Sequence, residues 1–215
     1  MKNKKKLLLI LSTLIILIIA MAGVTLAIFT SKDKVKNVFG VGEIKIEVEE
    51  EFPKDPPWNQ IKPIKKEVNI KNTTSNNEAL IRVNITPRWV NEVRGKEVLF
   101  SGDTSDKVVE LELCNILNDL TQQTSKGHWI YGKDGYYYYT EILKPQEKTE
   151  DILKSVKVNV NENTVENPKE YENKILKVDV NAEGVQPTID AYKDTWNVQD
   201  ENIKKLLNDL INNSK

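Results

Sequence analysis

The chain is poor in the residues that most enzyme chemistry requires. Among its 215 residues there is one cysteine, Cys114, and one histidine, His128. A single cysteine excludes an intrachain disulfide and any zinc site built from several thiolates. A single histidine excludes the HExxH zinc helix, which needs two. No nucleophile elbow or comparable motif accompanies His128, so Ser-His-Asp and Cys-His catalysis gain no support. His128 is read instead as a polar residue within an aromatic hairpin. No D-x-D-x-D-G calcium loop is present; Gly102-Asp103-Thr104-Ser105-Asp106 is a polar loop with different spacing. Repeats of 20–50 residues are absent as well. The expectation is a non-enzymatic protein with no catalytic, cofactor-binding or metal-binding residues. Cys114 lies in an interleaved run, Val108 to Cys114. It is read as a small packed hydrophobe, with an intermolecular disulfide as the functional alternative.

Long apolar runs are scarce too, with one exception. Lys2, Lys4, Lys5 and Lys6 precede an uncharged stretch from Leu7 to Phe29. Ala20, Ala22, Gly23 and Ala27 lie toward its end, and Thr25-Leu26-Ala27 fits the small-x-small pattern of signal-peptidase sites. The expected cut falls between Ala27 and Ile28. A helix over this stretch is about 35 Å long, enough for the ~30 Å hydrocarbon core, so a retained anchor is the alternative. In either case the lysines stay on the cytoplasmic side and the rest of the chain is exported.

Loss of residues 1–27 leaves 27 basic and 32 acidic side chains, a net charge of −5. No basic stripe is evident, so a nucleic-acid partner is not expected. The remaining length suits one domain, with or without an appendage, and can bury a core. The expected divisions are residues 1–27 as signal peptide, 28–198 as a β domain and 199–215 as a C-terminal helix.

Strand signals recur through the exported part. From Val38 to Glu49, Ile44, Ile46 and Val48 alternate with Glu43, Lys45, Glu47 and Glu49. Pro53, Pro56, Pro57 and Pro63 then mark a loop that contains Trp58. Lys66 to Lys71 and Ala79 to Thr86 alternate again, joined by the turn-forming Asn72 to Glu78. They are expected to be neighbouring antiparallel strands, the second ending at Pro87. Val98 to Phe100 and Val108 to Leu113 are weaker strand signals, and residues 108–121 read as strand, helix or both in turn. Val156 to Val160 and Ile175 to Val180 add two more runs, with a polar loop from Asn161 to Lys169 between them.

Gly132-Lys133-Asp134-Gly135 separates two aromatic-rich runs, a strong hairpin signal. Alternation puts Tyr137 and Tyr139 on one face and Tyr136 and Tyr138 on the other. With Trp129 and Tyr131 they form either a core with cross-strand pairing or a contact surface for a subunit or polysaccharide. At the end of the chain Ile203, Leu206, Leu207, Leu210 and Ile211 have helical spacing, and Asp200 is a plausible N-cap. The composite expectation is a mainly β protein: a sandwich of about eight to ten strands with a short C-terminal helix, preceded by a hydrophobic signal helix.

Several stretches resemble a known group. Ala27-Ile28-Phe29-Thr30, with Asn37 to Ile46 behind it, resembles the signal-peptide junction of TasA/camelysin-type proteins. The aromatic hairpin, with Leu143 and Pro145 after it, looks closest to BsaA-type biofilm matrix proteins. Ala182-Glu183-Gly184-Val185-Gln186 and Ala191 to Trp196 resemble the end of their domain. The resemblance implies a dedicated signal peptidase, a jelly-roll-like domain and assembly into extracellular fibres. Camelysins carry a metalloprotease label, which the single histidine does not support. The resulting expectation is a secreted, homopolymeric matrix subunit of a Gram-positive biofilm. Its further partners would be matrix polysaccharide or a minor fibre subunit. Residues 28–48 would serve as a donor strand for the next subunit, anchored by Phe29, Val35, Val38, Phe39 and Val41. The competing class is a monomeric adhesin or carbohydrate-binding module that uses the tyrosine hairpin.

Overall fold

The computed structural model of the protein describes residues 44–51, 62–121 and 127–214. These residues are mainly β, arranged as two sheets with two short helices. The strands are β1 (Ile46–Glu51), β2 (Ile64–Asn72), β3 (Leu80–Val93), β4 (Lys96–Phe100), β5 (Val109–Leu113), β6 (Ile116–Leu117), β7 (Trp129–Tyr131), β8 (Tyr137–Tyr139), β9 (Leu153–Val158) and β10 (Ile175–Val185). The helices are α1 (Ile189–Trp196) and α2 (Glu201–Asn213).

One sheet has the order β1-β2-β9-β5 and is antiparallel throughout. The other has the order β10-β3-β8-β7-β6, with β4 also paired to β3. Among the described strands only β6 and β7 run parallel. Alternation explains how each sheet buries a face. On β2, Val68 and Ile70 point inward; on β3, Ile81 and Val83 do the same. With Leu153, Val156 and Trp129 they form one apolar cluster shared by the two sheets. The other face of the β3 sheet carries Leu80, Ile130, Tyr138 and Val185, covered by Tyr192 and Trp196 of α1 and Ile203, Leu207 and Ile211 of α2. The far face of the β1-β2-β9-β5 sheet is charged instead, with pairs such as Lys154–Glu112 (3.1 Å) and Lys157–Glu110 (3.2 Å). Exposed pairs of this kind contribute about 0–1 kcal/mol each, so the stabilising term is the shared core.

Two local expectations need correction. β2 and β3 are not neighbours but belong to different sheets. The chain between them arches across the core, held by the buried Asn72. Its Nδ2 donates to the carbonyls of Asn77 (2.8 Å) and Leu143 (3.0 Å), and its Oδ1 accepts from the backbone N–H (3.1 Å) and hydroxyl (2.6 Å) of Thr74. Pro87 does not end β3, which continues to Val93. At Pro87 the strand is paired with β10 through Val178, while β8 reaches only Arg82 and Val83 and β4 begins to pair at Trp89. A residue without an N–H fits that gap in the second flank.

The C-terminal segment is helical over Glu201–Asn213, capped by Asp200, whose Oδ1 accepts from the N–H groups of Asn202 (2.8 Å) and Ile203 (3.1 Å). Helix α1 was not among the expected elements. Thr188 caps it by accepting from the Ala191 N–H, and left-handed Asn197 (φ 48°) ends it. The loop expected over Asn161 to Lys169 runs into a 3-10 turn, Pro168–Tyr171.

Candidate functional site: open sheet edges and the aromatic hairpin

Ala27, Ile28, Phe29, Val35, Val38, Phe39 and Val41, together with Trp58, lie outside the described residues. The counterpart they would need is an unpaired sheet edge. Among the described residues, β1 and β5 are the outer strands of one sheet, and β10 and β6 those of the other. Among the described residues β4 is paired on its β3 side alone. These edges differ greatly in length, from the two residues of β6 to the eleven of β10.

The hairpin is formed by β7 and β8, with Trp129 opposite Tyr139, Ile130 opposite Tyr138 and Tyr131 opposite Tyr137. Its turn is closed by Gly132 N–H to the Tyr136 carbonyl (2.9 Å), and Asp134 accepts from the Tyr136 N–H (3.0 Å). Tyr137 and Tyr139 pack on the core between the sheets, and Tyr136 and Tyr138 pack on the helix side. Trp129, Tyr138 and Tyr139 are buried, Tyr136 and Tyr137 are half-buried, and Tyr131 is 46% exposed. A contact surface built from this hairpin is therefore narrowed to Tyr131 and the accessible parts of Tyr136 and Tyr137. The other three are core. Trp129 stands 5.0 Å from Tyr139 and donates from its indole to the Glu150 carbonyl (3.0 Å).

A buried ion pair beside the hairpin escaped the sequence reading. Arg82 donates from Nε (3.0 Å) and Nη2 (2.7 Å) to Oε2 of Glu183. Its Nη1 donates to the Tyr138 hydroxyl (3.2 Å) and the Trp196 carbonyl (3.1 Å). The guanidinium lies 3.9 Å from the Tyr136 ring centre and 5.0 Å from that of Trp196. Tyr136 donates its hydroxyl to the second oxygen of Glu183 (3.0 Å). The group thus ties β3, β8 and β10 to the end of α1. Its signal in the sequence was a lone arginine within the apolar run Ala79 to Thr86.

Burial raises the tyrosine phenols above their ordinary value. Tyr138 is raised strongly by burial and then by the Asp134 carboxylate that accepts its proton, while Tyr139 is pushed up to about 12, mainly by burial. For Tyr136, burial leads and the charge of Glu183 adds to it. Cys114 is half-buried, with its thiol donating to the Asp151 carbonyl at 3.3 Å. Burial, followed by the charge of Asp151, raises its pKa, which keeps it a thiol. His128 is half-buried at the start of β7, its backbone joined to Thr140 in both directions. Among the described residues no group of three or more His, Cys, Asp or Glu side chains is placed to hold a metal ion.

A cleft of about 570 Å³ opens between α2 and the β6–β7 edge. Leu117, Ile130, Ile203 and Leu206 line it, and Asp200 and Lys133, 3.9 Å apart, stand at its rim.

Compared with family models, curated proteins and solved structures, the chain has no match.

Proposed function

We propose that this protein is a secreted structural subunit of an extracellular biofilm matrix fibre, with a jelly-roll-like domain that polymerises by strand addition. The observation that carries the reading is the position of β1. It is an outer strand with alternating apolar residues, and it directly follows the segment that cleavage after Ala27 would free. A free extended segment supplies backbone hydrogen bonds to an open edge, and its alternate side chains supply specificity. A contact of that kind is head-to-tail and generates an open filament. The adhesin reading is the weaker one, because it needs an aromatic surface and Trp129, Tyr138 and Tyr139 are buried.

The test is the natively exported protein with and without residues 28–42. N-terminal sequencing should give Ile28, and electron microscopy should show fibres for the complete mature form only. Fibres from the shortened form would refute strand addition by this segment.

A further inference from the structure

The geometry points to the outer edge of β4 as a contact between two copies of this chain, paired antiparallel about Val98. The inference goes beyond the fibre reading and does not depend on it. β4 forms a ribbon with the end of β3. Pairing of β10 with β3 reaches Val90, and past that point the described partner of β3 is β4. The ribbon turns at Arg94 and Gly95, both left-handed (φ 54° and 74°), as a two-residue hairpin turn requires. Three of the five exposed large apolar side chains among the described residues lie on it: Val93 (50%), Val98 (47%) and Leu99 (69%). Val98 and Leu99 are neighbours in a strand, so they face opposite sides, and both faces of the ribbon carry exposed apolar surface. An edge of this kind is a template for another strand.

Backbone direction and charge select both the partner and the register. The two-residue turn makes Val93 and Lys96 a pair that exchanges both hydrogen bonds. Alternation then aims the N–H and C=O groups of Lys96, Val98 and Phe100 at β3, and those of Glu97 and Leu99 outward. A second β4 bonds only where outward residues meet. Setting Glu97 opposite Leu99 of the second copy uses every outward group of both strands and places Val98 opposite itself on the two-fold axis. Setting Glu97 opposite Glu97 brings like charges together, and setting Leu99 opposite Leu99 carries Glu97 past the end of the other strand. In the selected register the Glu97 carboxylate is held within its own molecule by Lys177 (3.1 Å) and Arg88 (3.4 Å), so it opposes no approach. The same operation on the other edges fails. A second copy laid antiparallel along the whole of β1 sets Glu47 opposite Glu50, and along β5 it sets Glu110 opposite Glu112. β10 lies against β1, with Ile44 and Ile46 over Gly184. The contact at β4 is isologous and joins β10-β3-β4 of two molecules into one continuous sheet. Five residues make a short edge, which places the contact among the weak, concentration-dependent ones.

Disulfide trapping of the natively exported protein tests the pairing. In a Cys114→Ser background, Val98→Cys puts the one thiol of each chain on the two-fold axis, in a pair whose Cα atoms are about 4.5 Å apart, within disulfide reach. Glu97→Cys is the control, since it is also exposed but stands opposite Leu99 of the second copy. The expected result is a dimer band on a non-reducing gel that forms about ten-fold faster for Val98→Cys than for Glu97→Cys. Adding Leu99→Glu to Val98→Cys sets glutamate opposite Glu97 twice and should slow the band about ten-fold, whereas Leu99→Lys at the same place should keep it. Leu99 is exposed, so neither change should move the thermal midpoint. Hydrogen exchange on the unsubstituted protein is the second readout, with the amides of Glu97 and Leu99 gaining protection as concentration rises. Equal rates for Val98→Cys and Glu97→Cys, or equal slowing by Leu99→Glu and Leu99→Lys, overturn the register. Protection of both amides at every dilution overturns the contact itself, because the edge is then covered within its own chain. Fibres that form without the Val98→Cys band remove this contact and leave the fibre reading standing. The band without fibres does the reverse.

Discussion

At the scale of single residues, the Arg82–Glu183 pair decides more than its size suggests. Both side chains are nearly out of water, so each depends on the other and on the tyrosines around them. Arg82→Met leaves a buried carboxylate without its cation and should cost about 3–5 kcal/mol, read as a lower urea midpoint. Arg82→Met combined with Glu183→Gln should recover part of that loss, because no unpaired charge remains buried. The hairpin tyrosines give a pH prediction of definite sign. In the fold Tyr139 retains its proton up to about 12, and Tyr138 is raised in the same direction. The unfolded chain releases phenol protons near ~10. Above that value the folded state binds more protons than the unfolded one. Their contribution is therefore complete below pH ~10 and is lost as pH rises through the folded values. An alkaline titration should show the tyrosinate absorbance of these two residues appearing together with loss of the native circular dichroism.

At the scale of elements, Asp200 holds the first turn of α2, and Asp200→Ala should cost about 1 kcal/mol, measured as a lower thermal midpoint with faster amide exchange at Asn202 and Ile203. That helix was legible in the sequence, since five apolar residues at helical spacing followed a capping aspartate. So was the β7–β8 hairpin, where a Gly- and Asp-containing turn separated two aromatic runs. The partners of β2 and β3 were not legible. Alternation says which side chains share a face, but it does not say which strand lies alongside. The side-chain bonds that make residues 73–79 an arch involve Leu143, which is distant in sequence. In the sequence Pro87 reads as the end of β3, because proline marks a stop when both flanks of a strand are paired, whereas the strand continues to Val93. Helix α1 has only eight residues, two of them buried, Tyr192 and Trp196. That is too few for a periodic signal to stand out. The buried ion pair was hidden for a similar reason, since a charge in an alternating run ordinarily marks the wet face.

At the scale of the whole molecule, charge and topology both bear on assembly. Without residues 1–27 the chain would carry a net charge of −5, so in the proposed fibre its copies would repel one another before their edges meet. Raising the salt from a few millimolar to physiological strength should shorten the lag of fibre growth, followed by light scattering, because the Debye length contracts to about 8 Å. An unchanged lag would mean that long-range repulsion does not limit the encounter. The arch between β2 and β3 has a consequence of another kind. Because it sends successive strands to different sheets, each sheet closes only when distant parts of the chain meet; Arg82 and Glu183 are 101 residues apart. Domains built on such non-local pairing fold on the order of milliseconds to seconds. For that interval every strand edge is available, to its own chain or to another. The speed of folding relative to the local concentration of newly released chains would then decide whether strands find their own molecule or a stranger's.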